Sequence, residues 1–509
     1  MTRHAGRGLL CVLILGAAAP PAAQDHPPAP PLELFLAATS ANERAARAAV
    51  EQLAHQWRDG YTPMIIDMAR QLRFASPVNA GSTPEQSRTP NDTLNLDESG
   101  GPGGDSAGSD LGSDVARRPT RESLVRARLI RFLETQTGKR FDIYLTGWRH
   151  WMWSLPYDPH PDYARFKGIV YGRIDPRMQR FFPPDARALI RLDEIDWGGV
   201  TVNGIPPLDH PKVLNVADAT FMRDSNVVFG VAVNGEARAY PKRILAWHEM
   251  ALDRLGGTEI TVVYCTLCGT VIPYDSLVGG RLRRLGTSGL LYRSNKLMFD
   301  DETMSLWSTL EGTPVVGPLV GTGLQMTSHA AVTTTWAEWR AEHPDTTVLS
   351  LDTGHARDYR EGAAYRDYFS NDRLYFQVSR TDPRLKNKTE MLVLKVKAAA
   401  GGETQPVALV ADFLKKNPVF QFEAAGRRFV VVTTPRGANR VYALNGNDVV
   451  FPAQAASADL VDSAGGRWSR SEAALAHQGG EGALPRYTAQ RAFWFGWYAQ
   501  YPNTLLIGR

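Results

Sequence analysis

The chain has 509 residues, 43% of them hydrophobic and 22% charged, with a formal net charge of +4. That length allows more than one domain and a sizeable core, so no disulfide framework is needed to hold the fold. The small charge balance lacks the basic excess that marks nucleic-acid binding.

Residues 1–23 combine Arg3 and Arg7 with an apolar run from Leu9 to Leu15 and then small residues, the layout of a secretory signal peptide. The run is shorter than the about 20 residues a membrane span requires. Prolines just ahead of Ala22 and Ala23 make a poor cleavage site, so an anchored form stays open. Cys11 lies inside the run, and Leu10 stands where a lipoprotein signal carries a small residue. The expectation is a periplasmic or secreted protein with no membrane span beyond this segment.

From 32 to 75, apolar residues recur at helical spacing through Phe35, Ala46, Val50, Leu53, Trp57, Ile65 and Leu72, which predicts a helical segment. Residues 76–118 are rich in Ser, Gly, Asp and Pro and lack aromatics, so they read as a disordered low-complexity linker. Residues 119–189 open with Thr120 as a helix cap and continue into "WRHWMWSLPYDPH", Trp148 to His160. Aromatics this dense usually mean core, and a partner-docking surface is the alternative.

After Ile190 the pattern changes to short Val/Ile/Tyr-rich runs punctuated by Gly, Pro and Asn-Gly, which reads as strands. Two segments match without a gap: "TWAEWRAEHPDTTVL", Thr335 to Leu349, and "FWFGWYAQYPNTLLI", Phe493 to Ile507. Upstream, "YPKRILAWHEM" aligns with "QPVALVADFLK" and "VVYCTLCGTVIPY" with "VVVTTPRGANRVY". The predicted architecture is α+β: two duplicated, mainly-β half-domains with interspersed helices, 190–352 and a degenerate copy 353–509, preceded by a small helical region. On this alignment Thr433 stands opposite Cys265, Arg436 opposite Cys268 and Phe413 opposite His248. The shared Gly269 and Gly437 look like fold, whereas the cysteines and the histidine look like equipment of one copy.

"CTLCG", Cys265 to Gly269, holds the only cysteines outside the signal segment. A disulfide across so short a loop stabilises by only about 2 kcal/mol before strain. A thioredoxin-like pair ends a strand and opens a helix, but "GTVIPYD" continues as β-like sequence. Cys-x-x-Cys-Gly between strands is the sequence of a metal knuckle, with Gly269 free to take positive φ. A third ligand must come from elsewhere, and His248 is the best candidate. It sits on the apolar face, with Ile244, Ala251 and Leu255, of a helix expected to run from Pro241 to Gly256-Gly257. A lone inward histidine is more commonly a hydrogen-bonded core residue. A Cys2His centre with an open position suits copper or zinc.

The stretch from Gly286 to Ser308 is dense in polar groups, among them Ser294, Asn295, Lys296, Asp301 and Thr303. Turn chemistry accounts for many, and Tyr292, Arg293 and Asp300 remain as candidates for lining a polar pocket. "DTGHARDYREGAAYRDY", Asp352 to Tyr368, reads as a solvated loop or short helix. "WHEM" holds half of a His-Glu-x-x-His zinc motif but has Leu252 where the second histidine would fall.

Five motifs in order, "NGEARAYPKRILAWHEM", "VVYCTLCGTVIPYDS", "SGLLYRSNKLMFDDETMSLWS", "VVGPLVG" and "TTTWAEWRAEHPDTTVLS", resemble the bacterial and archaeal domain of unknown function family 3179. The similarity covers about Ile190 to Arg509. It implies an exported bacterial protein and no established reaction, catalytic residue or cofactor. The residues themselves predict a transition-metal centre on Cys265, Cys268 and His248 with redox or Lewis-acid chemistry. The alternatives are a thiol–disulfide protein with Cys265 as nucleophile and Cys268 resolving it, and a binding or scaffold module. Substrate and redox partner stay unassigned.

Overall fold

The computed structural model describes residues 28–72, 120–398 and 402–509, save residues 445, 447 and 481. The expected signal segment 1–23 and linker 76–118 lie outside the described residues. Among the described residues no helix is long and apolar enough to cross a membrane.

Helices Leu32–Ala37, Glu43–His55, Thr62–Gln71, Arg121–Thr137, Thr146–Ser154 and Tyr163–Gly172 form an N-terminal layer. Thr120 caps the longest as its sequence suggests, its hydroxyl accepting from Ser123 N at 3.2 Å, and Gly138 closes it at φ 66°. The layer packs its apolar side on a sheet ordered Ile195–Trp197, Leu285–Tyr292, Asn295–Asp300, Leu306–Ser308, Pro314–Val316. Trp148 and Trp153 are buried in that contact, while Trp151 is half-buried and Tyr157 exposed, so the aromatic run is largely core.

Buried ion pairs fasten this layer. Asp196, on the edge strand of the sheet, takes Arg149 at 2.5 Å and also Arg70, with the Arg149 and Asp196 side chains only 2% and 4% exposed. Burial pushes the Asp196 carboxyl up, but the two guanidinium groups hold it below the usual carboxylate range.

The other face of that sheet meets a second one, ordered Leu208–Asp209, Met250–Leu255, Thr258–Cys265, Thr270–Asp275. A third sheet follows the order Ala331–Thr335, Val227–Val233, Glu236–Pro241, Thr347–Leu349, Val213–Asn215. The second half repeats the last two: Gln490–Phe493, Glu390–Lys397, Thr404–Val410, Leu505–Ile507 for the one, and Val419–Ala424, Arg427–Thr433, Asn439–Ala443 within the other. In both copies the closing strand runs parallel, Thr347 beside Arg238 and Leu505 beside Val407. The protein is therefore α+β with a duplicated, mainly-β body behind a helical region.

Two local expectations change. The helix after Pro241 covers only Lys242–His248, because Glu249 turns to φ 56° and Met250–Leu255 becomes a strand. Gly256 and Gly257, both at positive φ, make the hairpin turn to Thr258 and not a helix end. The alignment of the copies shifts as well. The pair Met250–Val263 matches Val419–Val432, and the bond Tyr264 N to Glu249 O recurs as Thr433 N to Pro418 O. This register sets Thr434, not Thr433, opposite Cys265, and Asn417, not Phe413, opposite His248.

Removing the carboxylate in Asp196→Ala takes the counter-charge from the Arg149 and Arg70 guanidinium groups. The expected cost is about 3–5 kcal/mol in urea unfolding. Because the folded pKa is depressed, the wild-type contribution is present above the unfolded value near ~4 and lost as pH falls below it, whereas the variant lacks this dependence.

Candidate functional site

Strands Thr258–Cys265 and Thr270–Asp275 pair with Cys265 opposite Thr270, so "TLCG" is the turn of a β-hairpin. Gly269 takes φ 65°, as the knuckle reading expects. Both cysteines are free thiols, Cys265 2% and Cys268 0% exposed. Cys268 N donates to Cys265 O at 3.2 Å inside the turn. The second half-domain then holds the turn from outside: Phe493 N donates to Cys268 O at 2.7 Å. Gly496 lies so close that a Cβ there would sit 3.3 Å from Cys268 Sγ. Tyr368 fixes the turn from a third side, its hydroxyl donating to Leu267 O at 2.7 Å.

Over the turn lies the hairpin Tyr292–Asn295, whose central residues Arg293 and Ser294 both take positive φ, 47° and 64°. Such a turn usually calls for Asn or Gly, and here two ordinary residues carry the strain. The result is that Ser294 O accepts from Cys268 Sγ at 3.2 Å, and Asn295 Nδ2 donates to Gly496 O at 3.0 Å.

The next residue, Lys296, brings a buried ammonium group to the thiols. Its Nζ donates to Glu249 O at 3.2 Å and lies 3.2 Å from Glu249 Oε2. Glu249 Oε1 in turn accepts from Thr266 Oγ1 at 2.8 Å and from Tyr365 Oη at 3.2 Å. Burial pushes the Lys296 amine down, while Glu249 and Cys265 pull it back toward the charged form.

The two thiols differ in acidity. Burial raises Cys265, but the Cys268 thiol and the backbone N–H groups of Lys296 and Cys268 outweigh it, and the sulfur sits below the ordinary thiol value. Burial and the neighbouring Cys265 hold Cys268 well above it. The single Cys268 proton goes to Ser294 O, or to the Cys265 sulfur when that is a thiolate. The Cys265 sulfur is thus the more acidic of the two.

The remaining candidates lie elsewhere. His248 is fully buried with both ring nitrogens engaged, Nδ1 on Pro206 O at 2.9 Å and Nε2 on Tyr359 Oη at 2.5 Å. Since a carbonyl only accepts, Nδ1 carries the proton and Nε2 accepts from the tyrosine. The structure does not bring this ring to the cysteines. Arg293 points away from the thiols, paired with Glu194 and donating to Ala499 O at 2.9 Å. It anchors the strained hairpin. Tyr292 lies beneath the Arg293 guanidinium, with 4.9 Å from ring to cation. Asp300 closes the far hairpin, accepting from Thr303 N at 2.8 Å and Trp307 Nε1 at 3.0 Å. The segment 352–368 is largely exposed and enters a short helix at Arg366, but Tyr365 and Tyr368 are buried against Glu249 and Leu267.

Among the described residues, three metal-type ligand atoms converge within 4.8 Å at Glu342, His343 and Glu472. Their carboxylates already meet guanidinium groups: Arg470 reaches Glu342 at 2.6 Å, Arg440 reaches both, and Arg486 lies 3.6 Å from Glu472. This cluster is an ion-pair seam between the two half-domains. Cys265, Cys268 and His248 are not part of it.

Lys296, Glu249, Thr266 and Tyr365 are the polar residues around the thiols that the sequence patterns did not single out. Glu249 stands in the noted "WHEM" and Lys296 in the noted polar stretch, but no spacing links them, because only the packing of two separate sheets brings position 296 beside 249 and 265.

The sequence pattern of the family described as protein of unknown function (DUF3179) matches residues 202–504, and the chain belongs to that family. No curated protein and no solved structure matches it. The N-terminal helices fall outside the match, whereas every residue of the thiol site falls inside it.

His248 yields a pH prediction. Burial lowers it from an ordinary 6.5 to about 4, so the fold requires the neutral ring. Stability is complete above pH ~6.5 and falls by up to about 3 kcal/mol as the pH drops toward ~4, since the unfolded state takes up the proton first. His248→Gln should flatten that part of a urea-unfolding pH profile without changing the reactivity of Cys265.

Proposed function

We propose that this DUF3179 protein carries a buried redox-active dithiol in its first half-domain, with Cys265 as the nucleophile and Cys268 as the resolving thiol. The observation that carries the reading is the meeting of two unequal thiols with a buried ammonium–carboxylate pair. A purely structural cysteine needs no such charge beside it, and burying Lys296 and Glu249 is costly unless they are paired.

The parts have separate roles. The backbone N–H groups of the turn and of Lys296 favour the Cys265 thiolate. Lys296 supplies a positive charge and a proton, and Glu249, fixed by Thr266 and Tyr365, keeps that amine in place. Cys268 stands three residues on, protonated, and attacks once Cys265 has been oxidised. The second copy has Thr434 opposite Cys265 and Pro418 opposite Glu249, so it holds none of this chemistry and serves as the cover. Export, which the opening of the chain suggests, would set the pair in an oxidising compartment, where a dithiol cycles only against a reductant.

The test is a redox titration of the full chain in dithiothreitol buffers, followed by acid quench and alkylation in denaturant. Reversible interconversion of the 265–268 peptide between dithiol and disulfide is expected. Lys296→Met should slow alkylation of Cys265 by iodoacetamide ~10-fold, with Cys268 unaffected. A pair that stays dithiol across all buffers, or stoichiometric copper or zinc lost in both Cys265→Ser and Cys268→Ser, overturns the reading; the second result favours the metal centre.

A further inference from the structure

A cavity lies where the two half-domains meet, and the groups around it carry two positive charges against one negative. Lys242, Tyr264 and Thr333 line it from the first half, Glu390 and Arg491 from the second. Arg491 pairs with Glu390 and donates to Asn439 Oδ1 at 2.7 Å. Lys242 has no ion-pair or hydrogen-bond partner among the described residues, and its ammonium lies 4.6 Å over the Phe369 ring. A ring face attracts a cation but offers no acceptor atom to its three N–H groups. Burial lowers this amine from its ordinary value, while Glu390 and Glu361, farther off, pull it back toward the charged form.

Two hydroxyls share the wall with it. Tyr264 is 1% exposed, and neither its hydroxyl nor that of Thr333 has a hydrogen-bond partner among the described residues. Burial holds the Tyr264 phenol well above its ordinary value, so it stays a donor. A buried hydroxyl without a partner is costly, and native proteins supply one. The three donors line a single space of about 40 Å³. A water needs about 10–15 Å³ of such space, so there is room for about three or four heavy atoms. Water alone would satisfy the hydroxyls and leave the ammonium charge unopposed. An anion does both, because its oxygens accept and its charge balances the excess cation. The apolar walls, Phe229, Ala492 and Phe493, suit a compact group of one charge better than a strongly hydrated dianion.

We propose that this cavity binds a small monovalent oxyanion, a carboxylate of one or two carbons or bicarbonate, held by Lys242 and Tyr264 at the junction of the half-domains. The Lys242 ammonium opposes its charge, and the Tyr264 and Thr333 hydroxyls donate to its oxygens. Arg491, fixed by Glu390 and Asn439, adds positive potential from the facing half. The bound anion therefore ties the first copy to the second through charge. The site uses neither sulfur, so it stands or falls independently of the dithiol reading.

The experiment titrates the full-length protein with sodium formate, acetate and bicarbonate at constant ionic strength, reading calorimetric heat and the thermal unfolding midpoint, with chloride and benzoate beside them. Three or four heavy atoms support a dissociation constant of ~1 mM, so at least one of the three oxyanions should bind saturably near that value and raise the midpoint. Whichever binds tightest separates a carboxylate from bicarbonate. Benzoate exceeds the space and should bind at least ~10-fold more weakly, as should chloride, which lacks a second acceptor atom. Lys242→Met and Tyr264→Phe should each weaken the tightest anion at least ~10-fold while keeping the wild-type circular dichroism. Lys242→Gln replaces the first variant if it does not fold. Three results overturn the inference: no saturable binding of any of the three oxyanions, benzoate or chloride binding as tightly as the best of them, or an undiminished affinity in a folded Lys242 or Tyr264 variant.

Discussion

A buried ammonium group needs a counter-charge, and the contact between Lys296 and Glu249 organises the centre of this molecule. Lys296 lies on one sheet and Glu249 immediately precedes the strand Met250–Leu255 of another, so their pairing depends on how those sheets face each other. Glu249 can serve because the chain turns to positive φ there, ending a helix and starting a strand in one step. The same turn presents its carbonyl to both Tyr264 N and Lys296 Nζ. The cysteine hairpin is thus tied to the ion pair through backbone and side chain together.

Duplication supplies the second constraint. Each copy builds the same arrangement of strands and helices, and in each a glycine at positive φ makes the turn after the central hairpin strand, Gly269 and Gly437. Only one copy places thiols, lysine and carboxylate around that turn. The other lends Phe493 N and the flat face of Gly496 to close it. One half thus carries the thiols and the other covers them, with the seam of Glu342, Glu472, Arg440 and Arg470 holding them together. The helical layer is fastened separately, through Asp196 to Arg149 and through Glu194 to Arg293, and the latter contact also braces the strained hairpin over Cys268.

Much of this was legible in linear order. Paired tryptophans at equal spacing disclosed the repeat, and the β-like run after Cys268 disclosed a hairpin in place of a thioredoxin turn. Where pattern misled, a local signal had two physical solutions. Apolar spacing around His248 fits a helix, yet Gly256-Gly257 serve equally as a hairpin turn, and strand pairing with Thr258–Cys265 decided between them. The tyrosines of 352–368 sit among charges that suggest solvent, but Tyr365 and Tyr368 are drawn inward by partners on Glu249 and Leu267.

The sequence by itself determined the class of fold, the duplication, the hairpin character of "CTLCG" and the restriction of the thiols to one copy, because these follow from periodicity, turn residues and composition along the chain. Only the tertiary structure decided what surrounds the thiols. His248 turned to Pro206 and Tyr359, and Lys296 with Glu249 took the place beside Cys265. The physical reason is that a buried charge or thiol is defined by groups distant in sequence, and strand register, which no short pattern encodes, selects which of them meet.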